Sequence, residues 1–404
     1  MVQQQQQNLA NYHHKVAQND TYNNSTSGFT QLAQQNKIAD SSIAKAHNKR
    51  LSKGNIQSGR EAKNPNDKDN KLELTKSTSK NFSKTGKDDK GKSGRTAKNS
   101  KQDSDSKQVE NVQTQDTLSL INNESYTGQI LNNEPHGYGQ YTYSDGSLYE
   151  GEFVNSLREG SGTYTSGNGT MYMGQWVNDC ENGRGELIAP TGFRYKGDFV
   201  NGAFEGDGEG YGTQGTCYKG QWQNNEFHGK GELQYADGAN YKGDWINGKR
   251  HGLGQFIFPD GSRYYGEWFE NHEYGWGEFL YVYGVHYKGY WKCGQFDGRG
   301  ELSIPDGEKY MGDWVCDRKE GYGEIYRPDG SYYKGNWKND MENGYGEFVY
   351  GDGTRYKGLW KDGRMDGVGL LTCVDGSSLS GEFYEGRLIR MSQNLGADGR
   401  EEEV

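Results

Sequence analysis

A tyrosine followed two residues later by glycine, and in most copies by tryptophan two residues after that, returns every 23 residues without a slip. The starts are Tyr126, Tyr149, Tyr172, Tyr195, Tyr218, Tyr241, Tyr264, Tyr287, Tyr310, Tyr333 and Tyr356, with a degenerate twelfth at Leu379. A fixed period on this scale marks a repeat architecture, so it decides the fold before any other feature is read. The copies within one chain serve as their own alignment.

Composition agrees that no ordinary core holds the chain. Only 31% of 404 residues are hydrophobic and 62 are glycine, too little aliphatic material for two conventional domains. Residues 1–120 hold 20 Lys+Arg against 12 Asp+Glu, a net +8, whereas residues 121–404 hold 26 against 44, a net -18. The two parts read as different materials. The first opens with Gln3 to Gln7 and continues rich in Asn, Ser, Lys and Gln, so it cannot bury enough apolar surface to offset its ordering entropy and is expected to be disordered. Within it, Leu32, Ile38 and Ile43 fit a weak helix over Phe29–Leu51 less well than an unstructured leader. The resulting division is a tail over 1–120, a repeat array over 121–388 with about eleven full copies and a terminal half copy, and an acidic tail over 389–404.

The N-terminus carries no basic stretch followed by an apolar core, and no run of apolar residues is long enough to span a bilayer, so a cytoplasmic protein is expected. Five cysteines, Cys180, Cys217, Cys293, Cys316 and Cys373, show no Cys-x-x-Cys spacing. Cys293 and Cys316 share a phase two strands apart, about 9.6 Å, beyond disulfide reach. Free thiols are expected.

With the tyrosine as position zero, glycine stands at positions two, eleven, thirteen and twenty, as in Gly243, Gly252, Gly254 and Gly261. Pro259-Asp260-Gly261, Pro305-Asp306-Gly307 and Pro328-Asp329-Gly330 spell a tight turn that closes a hairpin between copies. Positions five to eleven read as a looser turn within each copy. On that reading position four faces thirteen and position two faces fifteen, which places Trp245 opposite Gly254, and Gly254 opposite Trp268. Strand alternation puts positions zero, two, four, thirteen and fifteen on one aromatic face. The other face is charged, with Lys196, Lys219, Lys242, Lys288, Lys334 and Lys357 at position one facing Glu186, Glu209, Glu232, Glu278, Glu301, Glu324 and Glu347 at position fourteen. The copy at Tyr195 has Gly210 for Leu or Phe and Gln214 for Asp, which predicts a weak or bent second strand.

This grammar resembles the MORN repeat family, over about residues 124–386. The resemblance implies an all-β fold: an elongated single-layer antiparallel sheet of tandem β-hairpins with a 23-residue period, preceded by the disordered tail. It also implies a non-catalytic scaffold that binds other proteins, like the repeat proteins of radial spoke heads, ciliary axonemes and protist cortical cytoskeleton, some of which pair as homodimers. The structural or interaction face would be Tyr172, Trp176, Tyr218, Trp222, Tyr241, Trp245, Tyr264, Trp268, Tyr287, Trp291, Tyr310, Trp314, Tyr333, Trp337, Tyr356 and Trp360. Family members that tether membranes suggest a phospholipid-binding alternative, which the net -18 of the array disfavours because anionic headgroups repel it.

Several motifs tempt toward chemistry. Gly86–Ser93 matches the phosphate-loop pattern, but no strand enters it and no helix leaves it. Gly210-Tyr211-Gly212-Thr213-Gln214-Gly215 matches a dinucleotide fingerprint, yet its last glycine belongs to the repeat turn. His136, His228 and His251 share position ten, too far apart to share one zinc ion. No enzyme, cofactor or metal is therefore expected. Lys71–Lys101 is basic but interspersed with acids, so polyanion or nucleic-acid binding is expected to be weak.

Overall fold

A computed structural model of the protein describes residues 113–119 and 123–395. The sequence readings on residues 1–112, including the Phe29–Leu51, Gly86–Ser93 and Lys71–Lys101 segments, lie outside the described residues, as do residues 396–404.

The described residues form one antiparallel sheet of 25 strands, from β1 (Gln113–Ser119) to β25 (Arg387–Leu395), numbered in chain order. Every strand pairs with the one before and the one after it, a continuous meander. Each copy supplies a seven-residue strand and a nine-residue strand, for example β12 (Asn240–Ile246) and β13 (Lys249–Ile257). The sheet exceeds the sequence boundaries at both ends. β1 takes residues read as tail and places Leu118 opposite Tyr126, as Phe256 lies opposite Tyr264, so it imitates the second strand of a preceding copy.

The hairpin turns and the register correct the expectation. The turn inside each copy is the tighter one: only Asn247 and Gly248 separate β12 from β13, with φ of 50° and 74°. Two consecutive left-handed residues make the type I′ turn that Asn-Gly favours, because its twist matches that of the strands. The Asp-Gly connection is longer, closed by Phe258 N–H to Ser262 O at 2.8 Å and Gly261 N–H to Phe258 O at 2.9 Å. Glycine therefore faces glycine. Gly243 pairs with Gly254 and Gly254 with Gly266, while Trp245 pairs with Arg250 in its own hairpin and with Gly229 in the preceding one.

The facing glycines make room for the tyrosine two residues upstream. A Cβ on Gly266 would sit 2.5 Å from both Gly277 Cα and the Tyr264 hydroxyl. In all eleven copies the tyrosine hydroxyl reaches past its glycine and donates to the backbone carbonyl three residues on, at 2.7–3.1 Å. The ring is thus clamped along its own strand over a floor that has no side chains.

Between positions two and three the register shifts by a β-bulge on the long strand, at the glycine of position eleven. Position three caps it. In seven copies its side-chain oxygen accepts the amide of position twelve, as Gln221 Oε1 does from Lys230 N–H at 3.1 Å. In those copies the bulge glycine lies at φ 57–68°. Where position three is Gln175, Tyr290, Asn336 or Leu359 and that bond is missing, Gly183, Gly298, Gly344 and Gly367 open to φ 74–104°.

The copy at Tyr195 has no weak strand: β9 (Ala203–Tyr211) runs its full nine residues. Phe204 stacks on Tyr195 at 3.8 Å and 14°, the same stack that Phe227 and Phe296 make in copies with leucine at position fifteen. On the charged face all seven position-fourteen glutamates form ion pairs at 2.6–3.4 Å with the next strand. Four use the expected position-one lysines, but Glu186, Glu301 and Glu347 instead meet Arg194, Lys309 and Arg355, two residues nearer the turn.

Two substitutions check this frame. Gly266→Ala should cost about 3 kcal/mol through overpacking against the Tyr264 ring, and Gly261→Ala, open on all sides but left-handed at φ +86°, only about 1 kcal/mol; urea unfolding of both variants measures the difference. Gln221→Leu should cost about 1 kcal/mol and speed hydrogen exchange at the Lys230 amide, with Gln221→Glu close to neutral because it keeps the acceptor.

Candidate interaction surface: the aromatic face

The clamped tyrosines are the base on which the tryptophans rest. Trp245 meets Tyr241 of its own copy at 4.9 Å and Tyr218 of the copy before at 5.7 Å, both edge-to-face. Such pairs add about 1 kcal/mol beyond area burial. The indole N–H then donates to the position-thirteen carbonyl of the preceding copy, Gly231 O for Trp245, at 3.1–3.3 Å in seven of the eight tryptophans at this position. The indole nitrogen of Trp314 finds no such acceptor. Each tryptophan therefore ties two copies together, and truncating it removes both the packing and a buried bond.

All sixteen residues expected on this face, Tyr172 and Trp176 through Tyr356 and Trp360, are brought together there, and each is between 0 and 8% exposed. Their rings serve packing first. Desolvation pushes the hydroxyl of every frame tyrosine above the ordinary phenol value, Tyr356 to about 12.

Position nine joins the same face and was not singled out from the sequence. It faces position four across the type I′ turn, a tryptophan or, in two copies, Phe153 or Phe199, and changes chemistry from copy to copy: Arg158, Glu181, Phe204, Phe227, Arg250, Glu273, Phe296, Lys319 and Glu342 in succession. Phe227 and Phe296 stack on Tyr218 and Tyr287 at 3.7 and 3.6 Å. The cations lie on the following copy's indole, with Arg158 at 4.0 Å from Trp176 and Arg250 at 4.5 Å from Trp268. Burial pulls the Lys319 ammonium below the usual lysine range, between the Tyr310 and Trp337 rings at 5.1 Å each. The backbone amide of position nine donates to the Asn or Asp at position seven of the next copy, at 2.8 Å for Phe204 to Asn225 and for Arg250 to Asn271. Its sequence signal was its variability inside an otherwise constant frame.

The chemistry this arrangement performs is recognition and cohesion. Among the described residues no group of three or more His, Cys, Asp or Glu could hold a metal ion. His251 accepts the Gly252 amide at 3.0 Å, a local loop contact.

A family model for the MORN repeat matches residues 126–148, 149–171, 172–194, 218–239, 241–263, 287–309, 310–332, 333–355 and 356–378, just over half of the chain. The chain belongs to the MORN repeat family. Two copies fall outside the match, 195–217 and 264–286, although their strands pair like the rest of this MORN array. No curated protein matches the sequence. Among solved structures, the Drosophila melanogaster SAS-4 (dCPAP) TCP domain in complex with a proline rich motif of Ana2 (dSTIL) is 17% identical, covering 38% of this chain and 84% of its own, with a TM-score of 0.26. The Danio rerio CPAP TCP10 domain with a STIL peptide is 11% identical over 62% of this chain and 94% of its own, at a TM-score of 0.25.

The tyrosine burial has a signed consequence. A phenol whose folded value exceeds its unfolded value of about 10 leaves stability intact below pH 10 and erodes it as pH climbs toward the folded value. Each frame tyrosine then subtracts about 1.4 kcal/mol per pH unit. The array should lose its sheet above pH 10, with ionisation of the frame phenols, followed by NMR of ring-labelled tyrosine, coincident with loss of sheet circular dichroism; frame tyrosinate over intact sheet would contradict the packing.

Proposed function

We propose that this MORN protein is a non-catalytic scaffold that positions other proteins, and that it works in the cytoskeleton, at a cilium or a cell cortex. The observation that carries the reading is the division of labour between faces. The Tyr/Trp face is committed to holding the array together, and each frame tyrosine and nearly each tryptophan has its polar atom satisfied within the sheet. The outer face then presents lysine–glutamate rungs at multiples of 23 residues in four of the copies, a surface suited to docking along its length. Membership of the family supports a repeat scaffold, and the cellular place rests on the resemblance alone.

Peripheral membrane tethering is the second reading, and the net -18 of residues 121–404 weighs against it. Tagged full-length protein should concentrate on cilia or the cortex and survive detergent extraction there; uniform cytosolic signal would refute the cytoskeletal assignment. Co-sedimentation of the full chain with phosphatidylserine vesicles at physiological salt would instead favour the tether.

A further inference from the structure

Exposed apolar side chains recur on the outer face, at Tyr138, Tyr322, Tyr345 and Leu359 among others, and in its central region two neighbouring strand steps bring Leu253, Tyr265, Trp276 and Tyr290 together. One hairpin earlier, β11 (Glu226–Gln234) meets β12 through two cation–carboxylate rungs, Glu232 with Lys242 and Lys230 with Asp244. Where β13 meets β14 (Arg263–Phe269), the same two rungs are Gln255 opposite Tyr265 and Leu253 opposite Glu267. Both lysines are gone, replaced by apolar groups, while Glu267 stays. Its oxygen accepts the Trp276 amide at 3.1 Å, and among the described residues it has no cationic partner. The next step, from β15 (His272–Leu280) to β16 (His286–Lys292), sets Trp276 opposite Tyr290.

Leu253, Tyr265, Trp276 and Tyr290 are 52%, 54%, 41% and 51% exposed, where Lys230, Lys242, Arg299 and Asp313 stand at the same positions of other copies. Phe269 and Tyr274 extend the patch, 5.7 Å apart. The copy that carries most of it, 264–286, is one of the two that the family model passes over. Exposed rings beside a carboxylate without its cation are the groups that hold an arginine or lysine: the ring faces attract the cation and the carboxylate fixes it.

We propose that this outer patch, centred on Tyr265, Glu267, Trp276 and Tyr290, docks an arginine- and lysine-bearing extended segment of a partner protein, which supplies the cations that the sheet omits here. The inference rests on the scaffold reading and names the chemistry of one partner. Charge complementarity supports it, since the array's net -18 attracts basic segments. Spacing is compatible with it. Tyr265 and Tyr290 stand two strands and two residues apart, about 12 Å, the rise of three to four residues in an extended chain.

The test is calorimetric titration of the full chain with a peptide of about nine residues carrying arginine at every third position, at two salt concentrations. Binding is expected, weakening as salt rises. The double variant Leu253→Lys and Tyr265→Lys restores the array's own rungs, so it should keep the fold and weaken binding at least tenfold. Tyr138→Lys with Val368→Lys makes the same change of charge at two distant exposed sites of the same phase, and should weaken it less than twofold. Equal loss in both double variants, or no loss in the first, would show attraction by net charge alone and overturn the site. No binding by the unaltered chain would also overturn it, while localisation of the tagged protein on cilia or cortex would leave the scaffold reading standing.

Discussion

A phenol ring lying over two facing glycines is the constraint from which the rest of the fold follows. A single-layer sheet has no second layer to bury its apolar side chains, so the chain must create depth within one surface. Removing side chains at positions two and thirteen lowers the floor, and the ring at position zero drops into it with its hydroxyl tied to the backbone three residues on. Only with that ring fixed does the next indole find an edge-to-face seat and a carbonyl in the copy before it. Aromatic rings suit this role, being large, flat and held by few rotatable bonds, which keeps the ordering cost low.

Each of these ties reaches no further than an adjacent copy. The indole bonds backward to position thirteen, the amide of position nine bonds forward to position seven, and the outer ion pairs span one strand step. Stability is then close to a sum of copies and their interfaces, and unfolding has no reason to be two-state across the array. The seams at the ends are filled by imitation. Leu118 in β1 stands in for the residue at position fifteen of a missing copy, and Leu388 in β25 faces Phe383 as position nine faces position four elsewhere.

The hairpins, their period and the two faces were legible in the sequence because each follows from a single residue type at a fixed phase. Register was not, and the reason is local. Asn247-Gly248 is a type I′ signal, but taking positions five to eleven together as a looser turn shifts the pairing and sets Trp245 against Gly254. The glycine at eleven is instead a bulge whose angle depends on the side chain at position three, a coupling visible only when φ values are compared across copies. Gly210 misled in the opposite way: it reads as a break, yet the ladder runs on past it, with Tyr195 and Tyr218 opposite it on either side. Position nine escaped because its importance lies in burial, which variability in a repeat conceals.

This explains why the frame says much about shape and little about partners. Every position that makes the sheet cohere is used identically in copy after copy, so it can carry no address. Specificity has to be written where the array tolerates difference, and the structure shows two such places: position nine, whose identities alternate among Arg, Glu and Phe on the buried face, and the outer rungs, where an ion pair worth about 0–1 kcal/mol can be given up at little cost to the fold. Replacing a weak surface ion pair by tyrosine, leucine and tryptophan gives the array a distinct place along its length. A scaffold built this way can acquire one docking site without disturbing its neighbours, because the clamp that holds each copy lies on the opposite face.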